Sequence, residues 1–153
     1  MKSLELKIPP PIVGLLVAAA MWKIASVCSS LDVSLFIREV IAGVLLFVGA
    51  AIAFPSFVAL IRARTTFGSM KPKAASSLVT SGIYRFTRNP MYLSVLLILI
   101  AWAIFLSSAW ALVGPVAFVL YINRFQIKPE ERALAAMFGT AYNEYMGRVR
   151  RWL

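Results

Sequence analysis

The chain has 153 residues, of which 61% are hydrophobic and 14% charged, a balance from which the polar surface of a soluble domain cannot be made. Its formal charge is +10, yet it holds no histidine and a single cysteine, Cys28. Intramolecular disulfides, Cys/His zinc sites, Ser-His-Asp triads and histidine acid–base chemistry are excluded together, and Cys28 reads as a small apolar packing residue.

In chain order, the first apolar stretch is Ile12 to Val27. Ser29-Ser30-Leu31-Asp32 follows it rather than a small-residue cleavage pattern, and further spans come later, so it reads as a retained helix and not a signal peptide. The second stretch, Phe36 to Ile61, carries Gly43, Gly49, Ala50, Ala51 and Ala53, small residues that let helices approach, and Pro55, which should kink it. The third and fourth, Met91 to Leu106 and Ala109 to Ile122, nearly merge. One helix through both would be about 48 Å long against a hydrocarbon core of roughly 30 Å, so Ser107 and Ser108 mark a hairpin tip. Each arm is short, about 25 Å if Pro90 begins the first, which suits thin or protein-shielded membrane.

Arg62 to Asn89 is a long connection in which Gly68, Pro72 and Gly82 argue against one helix. Asn123 to Leu153 reads as two helices, with a start at Pro129-Glu130-Glu131, a stop at Gly139 and a restart at Thr140. In the last, Tyr142, Tyr145, Val149 and Trp152 recur at helical spacing among Arg148, Arg150 and Arg151, a pattern that suits a helix lying on the membrane surface. No internal repeat or linker divides the chain. The expectation is an all-α, polytopic integral membrane protein with about four transmembrane helices, including the C-terminal helical hairpin, followed by cytoplasmic helices. It forms one domain over 1–153, with N-terminal spans in 1–75 and a core in 76–153.

The basic residues lie before the first span (Lys2, Lys7), between the second and third (Arg62, Arg64, Lys71, Lys73, Arg85, Arg88) and after the fourth (Arg124, Lys128, Arg132, Arg148, Arg150, Arg151). The positive-inside rule makes these regions, and both termini, cytoplasmic. Asp32, Arg38 and Glu39 fall on the other side, and Lys23 snorkels from its helix end. Orientation and anionic lipid headgroups account for the charge without nucleic acid.

Polar groups gather at the cytoplasmic mouth of the hairpin. Leu78-Val79-Thr80-Ser81-Gly82-Ile83-Tyr84 and then Arg88-Asn89-Pro90-Met91-Tyr92 place rings, cations and a helix N-terminus together. An aromatic belt with cationic anchors explains Tyr92 and Arg88, and leaves the interleaved Gly, Asn and Pro unexplained. Glu130-Glu131 reads either as dipole capping or as an acceptor pair for a cationic or hydroxyl-rich ligand. Tyr142-Asn143-Glu144-Tyr145 with Arg148 is an interfacial surface or a clamp. Rings, carboxylates and a helix N-terminus match a zwitterionic cofactor with an adenine, a ribose, an amino-acid end and a positive sulfur. That match is permissive, and the residues by themselves stop at a helical membrane protein with a polar cytoplasmic site.

The ordered set, Leu78 to Tyr84, Arg88 to Tyr92, then Glu130-Glu131 ahead of Gly139 and the Tyr142/Tyr145 pair, resembles the isoprenylcysteine carboxyl methyltransferase family and its phospholipid methyltransferase relatives, over Ser76 to the C-terminus. The resemblance implies a polytopic methyltransferase of a prokaryotic inner membrane that uses S-adenosylmethionine at the cytoplasmic face, without a metal. Carried over by position, it implies cofactor contacts from Leu78, Val79, Tyr84, Asn89, Pro90, Met91, Tyr92 and Glu130. Glu131 matches the family's second acidic residue, in the site or ordering it. Asn89 and Ser76 stand where eukaryotic members have His, and Gln126 where they have an Arg of the substrate site, with Arg124 near. Arg124, Gln126 and Glu131 are thus the expected catalytic set, acting on a lipophilic or lipid-linked acceptor drawn from the bilayer. Arg124 would steer an acidic headgroup. A membrane reductase of the sterol-reductase type using NADPH, and a non-enzymatic small membrane protein, are the competing readings.

Overall fold

The computed structural model describes residues 5–63 and 77–153. Lys2, Arg64, Gly68, Lys71, Pro72, Lys73 and Ser76, which figure in the expectations above, lie outside the described residues, as does most of the connection between the second and third spans.

Helix α1, Pro10–Val27, begins at a Pro9-Pro10-Pro11 run whose fixed φ and missing N–H groups cost nothing in a first turn. It ends where Cys28 turns extended (φ −102°, ψ 160°). Helix α2, Leu35–Arg62, starts at Ser34, whose hydroxyl accepts the N–H of Ile37, and contains Pro55. Helix α3, Pro90–Leu106, stops at Ser107, which sits in the left-handed region (φ 52°, ψ 40°). After Ser108 the chain re-enters a helix through a 3-10 turn, Ala109–Leu112, and continues as α4, Val113–Ile122. The hairpin tip therefore falls at the two serines. Leu31 clasps it, its N–H donating to Ser107 O at 2.6 Å and its carbonyl accepting from Ser107 Oγ at 2.9 Å.

The chain does not break at Asn123. A π-turn, Asn123–Ile127, passes straight into α5, Lys128–Arg148, so Pro129 does not open a fresh helix as the sequence suggests. Its ring nitrogen cannot donate to Phe125 O four residues back, and the bulge relieves the ring clash. That carbonyl accepts instead from Leu6 N–H, 3.0 Å away. The expected stop and restart at Gly139 is present as a kink, with φ 51° and ψ −121°.

Among the described residues three runs are long and apolar enough to cross a membrane: Pro10–Val27, Leu35–Arg62 and Ala109–Arg148. The apolar part of the third ends at Ile122, and α3 is a shorter apolar helix. Helix α2 packs on α3, while α3 and α4 both pack on α1. Met21, Leu99, Phe118, Ile122 and Ile127 form the buried centre. Two glycines set the close approaches. A Cβ on Gly49 would meet Ser94 O at 3.4 Å, and one on Gly114 would run into the buried Met21 side chain. Gly43, from the same small-residue set, faces open space. The outer faces keep Leu15, Leu16, Phe36, Phe47 and Phe54 exposed, as lipid-facing surfaces do.

The apolar stripe of the last helix packs within the protein rather than outward. The helix ends at Arg148, and Tyr142, Tyr145 and Val149 are buried against Leu78, Leu134 and Phe138. An apolar stripe covers whatever face is offered to it, and the chain offers one: the turn before α3.

Candidate functional site

At the basic end of the bundle the start of α1, the end of α2, the turn before α3 and the first turns of α5 enclose a cavity of about 370 Å³. That size belongs to small-molecule sites. Leu78, Val79, Tyr84, Asn89, Pro90, Met91, Tyr92, Glu130 and Glu131 all line it, joined by Arg88, Tyr142 and Tyr145. Arg124 and Gln126 do not. Arg124 points to Glu5, 3.3 Å away, and Gln126 is fully buried with Nε2 donating to Ile8 O at 2.7 Å.

The turn is set by Gly82 at φ 62°, a conformation that favours glycine, which starts a 3-10 turn over Gly82–Arg85. This turn buries Tyr84, whose carbonyl accepts from the Tyr145 hydroxyl at 2.7 Å. Thr87 and Asn89 then lead into α3. Asn89 does not cap its own helix; its Nδ2 donates to Arg151 O at 2.9 Å. The N-terminus of α3 has no side-chain cap, and the residues that form it line the cavity.

The two adjacent acids are treated differently. Glu131 is held by Arg88 at 2.8 Å and by Arg151 at 2.6 Å. Glu130 accepts from the Tyr92 hydroxyl at 3.1 Å, and among the described residues no cation pairs with it. Burial raises its pKa, the Tyr92 hydrogen bond opposes the rise and the charge of Glu131 adds to it, leaving Glu130 at about 7. The capping role considered for this pair does not suit Glu130. The preceding Ile127 is already helical (φ −64°, ψ −51°), so no free helix end lies beside it.

Burial also lifts the phenols. Tyr84 is raised by desolvation first and then by Glu130 and Tyr145, and Tyr142 by desolvation and then Glu131, against the opposing charge of Arg88. Tyr145 is pushed up to about 12 by desolvation, with Arg88 opposing. All three stay protonated near neutral pH and serve as faces and donors rather than bases.

Pro9 to Pro11, Phe57 and Leu60 complete the cavity as an apolar flank. Sequence reasoning missed them because no local pattern distinguishes them from other span-end residues; only the meeting of α1 and α2 with α3 brings them there. Arg151 was also missed as a partner of Glu131, since twenty residues separate the two.

A family model for phospholipid methyltransferases matches residues 37–141. Over 63 residues the chain is 51% identical to an uncharacterized protein of Haemophilus influenzae, an alignment covering 41% of this chain and 100% of that protein. No solved structure matches the chain.

Proposed function

Since the chain belongs to the phospholipid methyltransferase family, we propose that it is an integral membrane methyltransferase. It takes S-adenosylmethionine in the cavity at the cytoplasmic face and methylates a lipophilic acceptor from the bilayer. The observation that carries this reading is Glu130, a carboxylate lining a largely apolar cavity, bonded to a phenol and, among the described residues, paired with no cation. Such a group calls for a cationic ligand, because an unpaired buried charge is costly. The rest of the donor set fits the same molecule. Tyrosine faces suit an adenine or a sulfonium, and the uncapped N-terminus of α3 suits a carboxylate.

Bound there, S-adenosylmethionine would supply a methyl group carried on positive sulfur. The chain's part is alignment and exclusion of water, with little proton transfer, since a displacement of this kind depends on reacting atoms held in line. Glu130 and the Tyr84 and Tyr142 rings hold and orient, while Glu131 and Arg88 keep the wall in place. The apolar flank of Pro9 to Pro11, Phe57 and Leu60 receives the acceptor's lipophilic part. A carboxylate acceptor would lose its charge on methylation, which a dry site favours. Because Arg124 and Gln126 lie outside the cavity, steering of the acceptor by Arg124 forms no part of this proposal.

Isothermal titration of the detergent-solubilised chain with S-adenosylmethionine and S-adenosylhomocysteine tests the reading. Saturable binding that is lost in Tyr84→Ala and Glu130→Ala is expected. A folded sample that binds neither, or that binds NADPH instead, would overturn it.

A further inference from the structure

After Arg148 the chain leaves α5 in extended form, with Val149 at φ −121° and ψ 131°, and runs back across the turn before α3. The Arg150 carbonyl accepts from the backbone N–H of Arg88 at 3.0 Å. The Arg151 carbonyl accepts from Asn89 Nδ2 at 2.9 Å and from the Thr87 hydroxyl at 3.3 Å. The Arg151 side chain forks onto Glu131, Nε to Oε1 at 3.0 Å and Nη2 to Oε2 at 2.6 Å. Arg88 closes the loop, donating to Glu131 Oε1 at 2.8 Å and to the Met146 and Val149 carbonyls at 3.0 Å each.

Of these cavity-wall residues, Glu131 and Asn89 bond Arg151 directly, and Arg88 bonds Glu131 and the carbonyls of Met146, Val149 and Arg150 around it. Among the described residues Glu131 would keep only Arg88 without Arg151, and Arg88 and Asn89 are both bonded to the extended segment that the Arg151–Glu131 pair pins down. The bond to Arg151 also turns the Asn89 side chain away from the end of α3. We propose that Arg151 is a positioning residue of the cavity: it touches no ligand, and through Glu131, Arg88 and Asn89 it sets the wall against which the ligand binds. This inference rests on the reading of the cavity as a S-adenosylmethionine site, but the wall's geometry has a consequence that needs no ligand. The neighbouring Arg150 supplies the contrast. Its side chain is exposed, so its removal takes away the same charge without touching the fork.

The test uses the full chain in detergent and the variants Arg151→Ala, Arg151→Lys and Arg150→Ala, with S-adenosylhomocysteine as the titrated probe. Loss of a supporting bidentate pair displaces groups by up to an ångström, so Arg151→Ala is expected to weaken binding by roughly tenfold or more. Arg151→Lys should recover part of it, because one ammonium holds one carboxylate oxygen but not the fork. Arg150→Ala should bind as the parent does. Hydrogen–deuterium exchange of residues 87–93 without ligand should quicken in Arg151→Ala and stay unchanged in Arg150→Ala. Equal affinity in all variants, or an equal loss in both alanine variants, overturns the positioning role. If the parent chain binds no S-adenosylhomocysteine, the cofactor reading falls, and exchange alone decides: quickening confined to the Arg151 variants upholds the inference, and identical exchange throughout overturns it.

Discussion

Replacing Glu130 by Gln should make the ligand-free protein more stable above neutral pH, and the sign of that change separates a ligand site from a helix cap. Burial lifts the Glu130 pKa from 4.5 to about 7, so between those values the folded state holds a proton that the unfolded chain releases. Stability from this group is complete below about pH 4.5 and is lost as pH rises through about 7. The full gap is worth roughly 3 kcal/mol at 1.36 kcal/mol per pH unit, an upper figure because the carboxylate keeps some accessible surface in the cavity. Gln is neutral at every pH and its carbonyl can still accept from the Tyr92 hydroxyl, so the variant lacks this slope. Unfolding of both proteins in the same detergent, from about pH 4 to about pH 9, should give curves that coincide at the acid end, part between about pH 4.5 and 7 and keep a constant gap above that, with Glu130→Gln the more stable. A dipole cap predicts the reverse: Glu130→Gln less stable at about pH 8 by a few tenths to 1 kcal/mol. That outcome would refute the argument.

The same titration governs binding. A cationic ligand needs Glu130 ionised, so its affinity should fall as pH drops below about 7, by up to about tenfold per pH unit, with proton release visible as a buffer-dependent heat; a flat profile would remove Glu130 from the contact. At the α1–α4 contact, Gly114→Ala should cost about 1–3 kcal/mol in thermal unfolding, because Met21 is fully buried and has nowhere to move; no loss would mean the helices separate easily. For orientation, single cysteines at Ala109 and Arg85, both exposed, placed in a Cys28→Ser background, should react with impermeant reagent from opposite membrane faces; labelling of both from one side would break the assigned topology.

Much of the architecture was legible because its causes are local. Apolar runs of span length, prolines at helix starts and a serine pair between two short arms mark α1 to α3 within a residue or two, and α4 together with the 3-10 turn that leads into it, since each signal sits in the element it defines. Gly139 was legible for the same reason: a residue that tolerates positive φ breaks a helix where it stands. The cover over the final helix's apolar stripe was not legible, because hydrophobic periodicity tells which face is apolar and not what covers it. Tyr142 and Tyr145 pack on the chain itself, beneath Leu78.

The candidate site divides along the same line. By itself the sequence determined that rings, acids and arginines collect where the hairpin meets the polar end, because their order along the chain puts them there. Which of them share the cavity was decided only by tertiary structure. At 3.6 residues per turn Gln126 and Glu130 lie on one helix face, but the π-turn at Asn123–Ile127 breaks that register. Gln126 is left against Ile8 and Glu130 in the cavity. Likewise the partners of the two acids come from packing: Tyr92 of α3 for Glu130, and for Glu131 Arg88 from the turn before α3 and Arg151 from the C-terminal segment that crosses that turn. Contacts between residues so far apart in the chain arise from packing, and no short-range pattern encodes them.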